Sequence, residues 1–140
     1  NGVPALADGF PPDSISTDLH MANINGPVVS MLTTMSKYLS MGMPLQEVIA
    51  RSTVTPAQEI QRPELGTLSV GAEADIAVLR HLEGVFGYTD CGHAKLTGKQ
   101  KLVCELTVRA GKIAYDPTGM SMPEWEQAPP AYWRMPELQA

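Results

Sequence analysis

Between Leu19 and Gln46 the chain carries a single formal charge, Lys37. Within that stretch Val28, Met31, Leu32, Met35, Tyr38 and Leu39 recur at spacings of three and four, which is one face of an α-helix. A helix on the surface of a soluble domain carries charge on its outer face. One so poor in charge has to be covered on several sides, by more protein than the rest of the chain obviously supplies. Pro27 suits the first turn of this helix, where a missing N–H has no partner to lose, and Gly42 with Pro44 ends it. Leu45, Val48 and Ile49 form a second amphipathic turn. Thr55-Pro56-Ala57-Gln58 reads as a capping box with proline at the first helical position, opening a short third helix that Pro63 stops.

The period then changes. Residues 64–116 hold no proline and seven glycines, whereas residues 27–62 hold one glycine, Gly42, so helices give way to strands and turns. Leu102, Cys104, Leu106 and Val108 alternate with Lys101, Val103, Glu105 and Thr107, a half-buried strand. Ala110-Gly111 then predicts a hairpin into Ile113–Tyr115. Residues 75–79 and 85–89 read as two further short strands. So few antiparallel strands cannot close a sandwich, and the sheet is expected to leave an edge exposed. The nearly uncharged helix and the open edge together predict that the fragment self-associates or unfolds, and a homo-oligomer is a further expectation. Residues 1–26 are acidic and punctuated by proline and glycine, with one strand candidate at 13–17. Residues 117–140 carry five prolines and both tryptophans and read as an irregular arm.

Composition excludes several classes. The 140 residues carry 10 basic and 15 acidic side chains, a net charge of −5, with the positives scattered, so nucleic acid is not an expected partner. An apolar share of 44% excludes a disordered tail. Two cysteines do not make a disulfide framework and fit a reducing, cytoplasmic setting. No run of about 18 apolar residues suggests a membrane span, and no signal peptide is evident. The opening Asn1-Gly2-Val3, without Met, suggests a fragment.

The chemistry-bearing residues are sparse. His20, His81 and His93 form no H-x-H or H-x-x-x-H pair, so a zinc site from this chain alone would need ligands gathered across long gaps. Cys91 and Cys104 read as turn or strand thiols. Gly84-Val85-Phe86-Gly87 lacks the Lys-Ser/Thr of a phosphate loop. Met21, Met31, Met35, Met41 and Met43 read as core filler rather than as a binding face. Asp18 stands out because it ends the 13–17 segment just before a polar loop through Asn23, Asn25 and Gly26. A carboxylate at the C-terminal tip of a strand is where α/β barrels place catalytic groups. From spacing alone the plainer reading, a loop cap bonding backbone N–H groups, is the stronger.

The run Gly9-Phe10 through Pro12-Asp13-Ser14-Ile15-Ser16-Thr17-Asp18-Leu19-His20 resembles the last barrel strand of metal-dependent amidohydrolases. Within that superfamily it is most similar to the amidohydrolase/deacetylase group related to dihydroorotases. The resemblance continues through Met41-Gly42-Met43-Pro44-Leu45, Ser52-Thr53 and Thr55-Pro56-Ala57. It ends in Leu65-Gly66-Thr67-Leu68 and Ala74-Asp75-Ile76-Ala77-Val78-Leu79, the family's return from barrel to small sandwich, and so covers about residues 9–116.

The resemblance implies an α/β fold: the C-terminal fragment of a (β/α)8 barrel (last strand and helices) followed by part of a small β-sandwich. Residues 1–63 would end the barrel, 64–116 would be the C-terminal part of the sandwich, and 117–140 an appended arm. The H-x-H, bridging lysine and later histidines of the family are absent here, so a missing N-terminal part of the same protein is an expected partner. The whole enzyme is implied to use one or two divalent metals, most often zinc, which lower the pKa of bound water to roughly 7. Asp18 matches the family aspartate that touches the metal, takes the proton of the attacking water and passes it to the leaving atom. His20 and the loop from Asn23 to Gly26, Asn25 and Gly26 in particular, would line the pocket. The implied reaction is hydrolysis of an amide or ester acyl group, such as deacetylation, on a small acyl substrate. The alternatives are a cyclic-amide hydrolase or a deaminase within the superfamily, and outside it a non-catalytic, β-rich interaction module.

Overall fold

The computed structural model describes residues 2–21, 23, 24 and 26–128. Four helices come first: α1 (Gly2–Ala7), α2 (Met31–Ser40), α3 (Leu45–Ser52) and α4 (Val54–Glu59). Three strands follow, β1 (Ile76–Thr89), β2 (Lys95–Arg109) and β3 (Lys112–Tyr115), then a single 3-10 turn at Trp125–Gln127. The change of period near residue 63 is therefore the boundary between helices and sheet in an α/β chain. Among the described residues no helix is long and apolar enough to cross a membrane.

The uncharged helix forms, but it starts later than Pro27. Ser30 is extended (φ −158°, ψ 169°) and its Oγ accepts the Thr33 N–H at 3.3 Å, so a side-chain cap sets the start of α2. Val28 instead bridges to Ile24, which keeps Pro27 in the preceding loop. The Thr55 capping box is also absent. Thr53 stands at the N-cap of α4 without a side-chain cap bond, and its hydroxyl donates to the Ile49 carbonyl at 2.7 Å. α4 thus springs directly from the end of α3. It stops at Glu59, ahead of Pro63, where Gln61 turns the chain at φ 59°. Helix α1 is not legible in a segment so punctuated by proline and glycine.

The two short strands expected at 75–79 and 85–89 are one strand. β1 stays paired with β2 from Ile76↔Val108 to Thr89↔Lys95, and an irregularity between Glu83 and Phe86 absorbs Gly84 and Val85. A second irregularity modifies the alternation of β2. Val78 pairs with Leu106 and Leu79 with Cys104, so Glu105 is passed over and the in–out phase slips there. Glu105 is buried, and its carboxylate accepts a bond from Arg80 Nη2 at 2.6 Å. The expected hairpin is present: Ala110 and Gly111, at φ 47° and 73°, join β2 to β3 in the primed turn that matches strand twist. The sheet has the order β1-β2-β3, a single layer with no second sheet among the described residues.

Helix α2 packs against β2, and α3 packs against α2. Met35, Leu39, Met43, Val48, Leu102 and Ile15 form the buried core. Ile15 is the correction to the strand expected at 13–17. It is 3% exposed, but the segment forms no ladder, and Ile15 N–H donates to the Arg51 carbonyl at 2.7 Å. The methionine reading holds for Met35 and Met43, which are buried, whereas Met21 is 95% exposed.

Polar groups fix how α2 sits on β2. Ser36, 1% exposed, donates to the Leu32 carbonyl at 2.5 Å and accepts the Leu102 N–H at 2.9 Å. Gln100 Nε2 donates to the Leu39 carbonyl at 3.2 Å, while its own carbonyl accepts from Ser40 and Tyr88. At Gly98 a Cβ would collide with the Ser40 side chain, so β2 passes the helix at backbone contact. Replacing Ser36 with alanine removes a partner from the buried Leu102 N–H. We expect a loss of about 1–3 kcal/mol, read as a lower urea midpoint at unchanged slope.

Candidate functional site

The site is a loop that leaves the core at Ile15 and re-enters it at α2. Asp18 adopts φ 45°, a left-handed conformation that short polar residues tolerate best. Its carbonyl accepts two bonds at 2.7 Å, from His20 Nδ1 and from Asn23 Nδ2. Asn23 is 5% exposed, and its Oδ1 accepts the His20 N–H at 2.9 Å. The capping of this loop is therefore done by the Asn23 side chain. The Asp18 side chain is exposed, and among the described residues its carboxylate accepts no hydrogen bond. Among the described residues, the carboxylate cap of the plainer sequence reading is not seen.

His20 is exposed. A carbonyl can only accept, so the His20 ring carries its proton on Nδ1 and leaves the Nε2 edge to solvent. Gly26 is exposed and its N–H donates to the Asn23 carbonyl at 3.3 Å. Asn25 lies outside the described residues. Asp18, His20 and Gly26 thus share one loop organised by Asn23, a residue that the resemblance places only within the pocket-lining loop. The signal that could have found it is an asparagine five residues after the candidate aspartate, long enough to reach back across a turn.

Beyond the loop, Lys37 of α2 donates to the carbonyl of Pro27 and, at 2.7 Å, to that of Thr89. Burial lowers its pKa, against the raising influence of Cys91 and Asp90. Asp90 is itself held low, chiefly by the backbone N–H of Ala94. A cleft of about 310 Å³ opens here, lined by Lys37, Met41, Tyr88, Asp90 and Lys95 among others, and none of Asp18, His20 or Gly26 lines it.

Among the described residues no three His, Cys, Asp or Glu side chains converge as metal ligands. His81 is engaged with Gln100 Oε1 at 2.9 Å on the sheet, and His93 sits in the β1–β2 turn at φ 60°. A catalytic zinc needs about three protein ligands, so the residues described do not make a metal centre by themselves. What the arrangement offers chemically is one exposed carboxylate, without a partner among the described residues, on a braced backbone.

The amidohydrolase family model matches residues 3–113. A deacetylase of Brucella anthropi is 42% identical over 86 residues, 61% of this chain and 21% of that protein. A deacetylase of Enterococcus faecalis is 33% identical over 113 residues, 80% of this chain and 30% of that protein. The crystal structure of an adenine deaminase superposes with a TM-score of 0.76 at 31% identity, and that of a dihydroorotase with 0.74 at 33%. Each superposition covers 82% of this chain and 31% of the other. The chain therefore spans between about a fifth and a third of the length of the proteins it matches.

Proposed function

Because the chain belongs to the amidohydrolase family, we propose that it supplies the acid–base aspartate, Asp18, to a hydrolase of amide or ester acyl groups. The observation that carries this reading is the Asp18 carboxylate itself: exposed, without a partner among the described residues, on a backbone pinned by His20 and Asn23. A carboxylate kept only for structure is spent on N–H groups, and among the described residues this one is not. The deacetylases among the relatives support an acyl substrate. The adenine deaminase and dihydroorotase superpositions favour, as the second reading, attack on an amidine or a cyclic amide.

In this reading residues 1–63 close a (β/α)8 barrel, residues 64–116 are part of a small sandwich, and the 13–17 segment gains its ladder from a neighbouring barrel strand. The two free cysteines fit a cytoplasmic enzyme. Asp18 takes a proton from the attacking water and returns it to the leaving nitrogen or oxygen. His20, Asn25 and Gly26 would line the path of the substrate. A divalent ion, zinc in one or two copies, would be held mainly by ligands outside this chain, with Asp18 as its contribution. When bound, such an ion makes water acidic enough to attack at neutral pH.

Two measurements test the proposal. The 140 residues alone should retain far less than one zinc per chain after dialysis and hydrolyse no N-acetyl amino acid. The whole protein containing them should hydrolyse N-acetyl amino acids in preference to dihydroorotate or adenine. One zinc per isolated chain would contradict the division of ligands, and a preference for adenine or dihydroorotate would transfer the site to the second reading.

A further inference from the structure

We propose that Lys37 is a positioning residue that ties the Asp18 loop to the end of the sheet; this deepens the proposed function and rests on Asp18 being its site residue. The tether can be followed bond by bond. Asn23 holds the Asp18 carbonyl at 2.7 Å and the His20 N–H at 2.9 Å through its side chain. Its own carbonyl receives the Gly26 and Val28 N–H groups, each at 3.3 Å. Between those two residues lies Pro27, whose carbonyl accepts from Lys37 Nζ. The same ammonium donates to the carbonyl of Thr89, the last residue of β1. The site loop is thereby fixed from behind, across α2, to the sheet.

The chemistry of the bridge explains the one charge in the uncharged helix. Two carbonyls are both acceptors and cannot bond each other, and an ammonium with three donors can satisfy both. An apolar residue at 37 would suit the helix and leave both carbonyls without this donor. Asp90, on the turn beside Thr89, favours the charged form that the bridge needs, against the larger opposing effect of burial, and Lys95 lines the same cleft. The competing explanation is that Lys37, in the last turn of α2, merely complements the helix dipole. That role would act on α2 and leave the loop alone.

Amide hydrogen exchange separates the two. In Lys37→Met, the N–H groups of Asn23, Ile24, Gly26 and Val28 should exchange roughly ten- to hundredfold faster, the usual worth of a charge-assisted bond. Those of α2 should keep their protection. Lys37→Arg, which keeps a cation with several donors, should restore most of the loop's protection. Unchanged loop exchange in Lys37→Met, an equal loss of protection in α2, or no restoration by arginine would each overturn the tether. The outcome is distinguishable from failure of the proposed function: unchanged turnover in Asp18→Asn removes the site residue, whereas loop exchange reports the tether alone.

Discussion

In the whole enzyme, Asp18→Asn is expected to lower kcat by roughly 10²–10⁴-fold while leaving the melting temperature close to its original value. The reasoning separates the backbone of this residue from its side chain. The backbone is at φ 45°, a conformation that asparagine adopts at least as readily as aspartate. The carbonyl that His20 and Asn23 hold at 2.7 Å belongs to the main chain and survives the substitution. No hydrogen bond to the carboxylate among the described residues is lost, so the structural cost should stay within about 0.5 kcal/mol, as for ordinary surface changes. What disappears is the negative charge and the ability to accept a proton. A large loss of turnover at constant stability therefore isolates proton transfer. Near-normal turnover would remove Asp18 from the mechanism, and a large fall in melting temperature would show that its carboxylate supports the fold.

How much of the fold and the site is legible in the sequence depends on how local the determining interaction is. The apolar face of α2 is readable because Met35 and Leu39 are buried four residues apart on one helix. Its start is not, because Pro27 and Ser30 are both acceptable first-turn residues, and the Ile24–Val28 bridge that decides between them is a feature of the loop. The 13–17 segment has the alternation of a strand, but a strand needs a partner, and here Ile15 is held by the end of α3. β1 reads as two strands because Gly84 looks like a breaker, while pairing with β2 on both sides of it carries one fourteen-residue strand past it. At the site, Asp18 and His20 stand out through the resemblance. Asn23 does not, since an asparagine in a polar, glycine- and proline-ended loop is read first as a turn former. Lys37 is visible as an anomaly, a lone charge, although its two carbonyl partners lie 10 and 52 residues away.

Gly66→Ala is expected to be strongly destabilising, at about 2–5 kcal/mol, which for a chain of this size lowers Tm by roughly 10–20 °C. Gly66 lies in the Gly-Thr-Leu element through which the helices hand over to the sheet, and two physical demands meet there. Its φ is 67°, a left-handed conformation that costs an alanine about 1–2 kcal/mol. In addition, a Cβ would stand 2.5 Å from the Thr53 carbonyl oxygen, 2.6 Å from its carbonyl carbon and 2.9 Å from the Val54 nitrogen. These are backbone atoms at the junction of α3 and α4, so no rotamer change relieves the overlap and one of the two chain segments has to move. Gly71→Ala provides the control. Its φ is 89°, but nothing lies within 4 Å of the position a Cβ would take, so it should show only the conformational cost. Equal losses in the two variants would mean that the close approach to Thr53 contributes nothing. A loss at Gly66 exceeding that at Gly71 by about 1–3 kcal/mol, the usual cost of overpacking, would assign this glycine to holding the α3–α4 corner against the entry to the sheet.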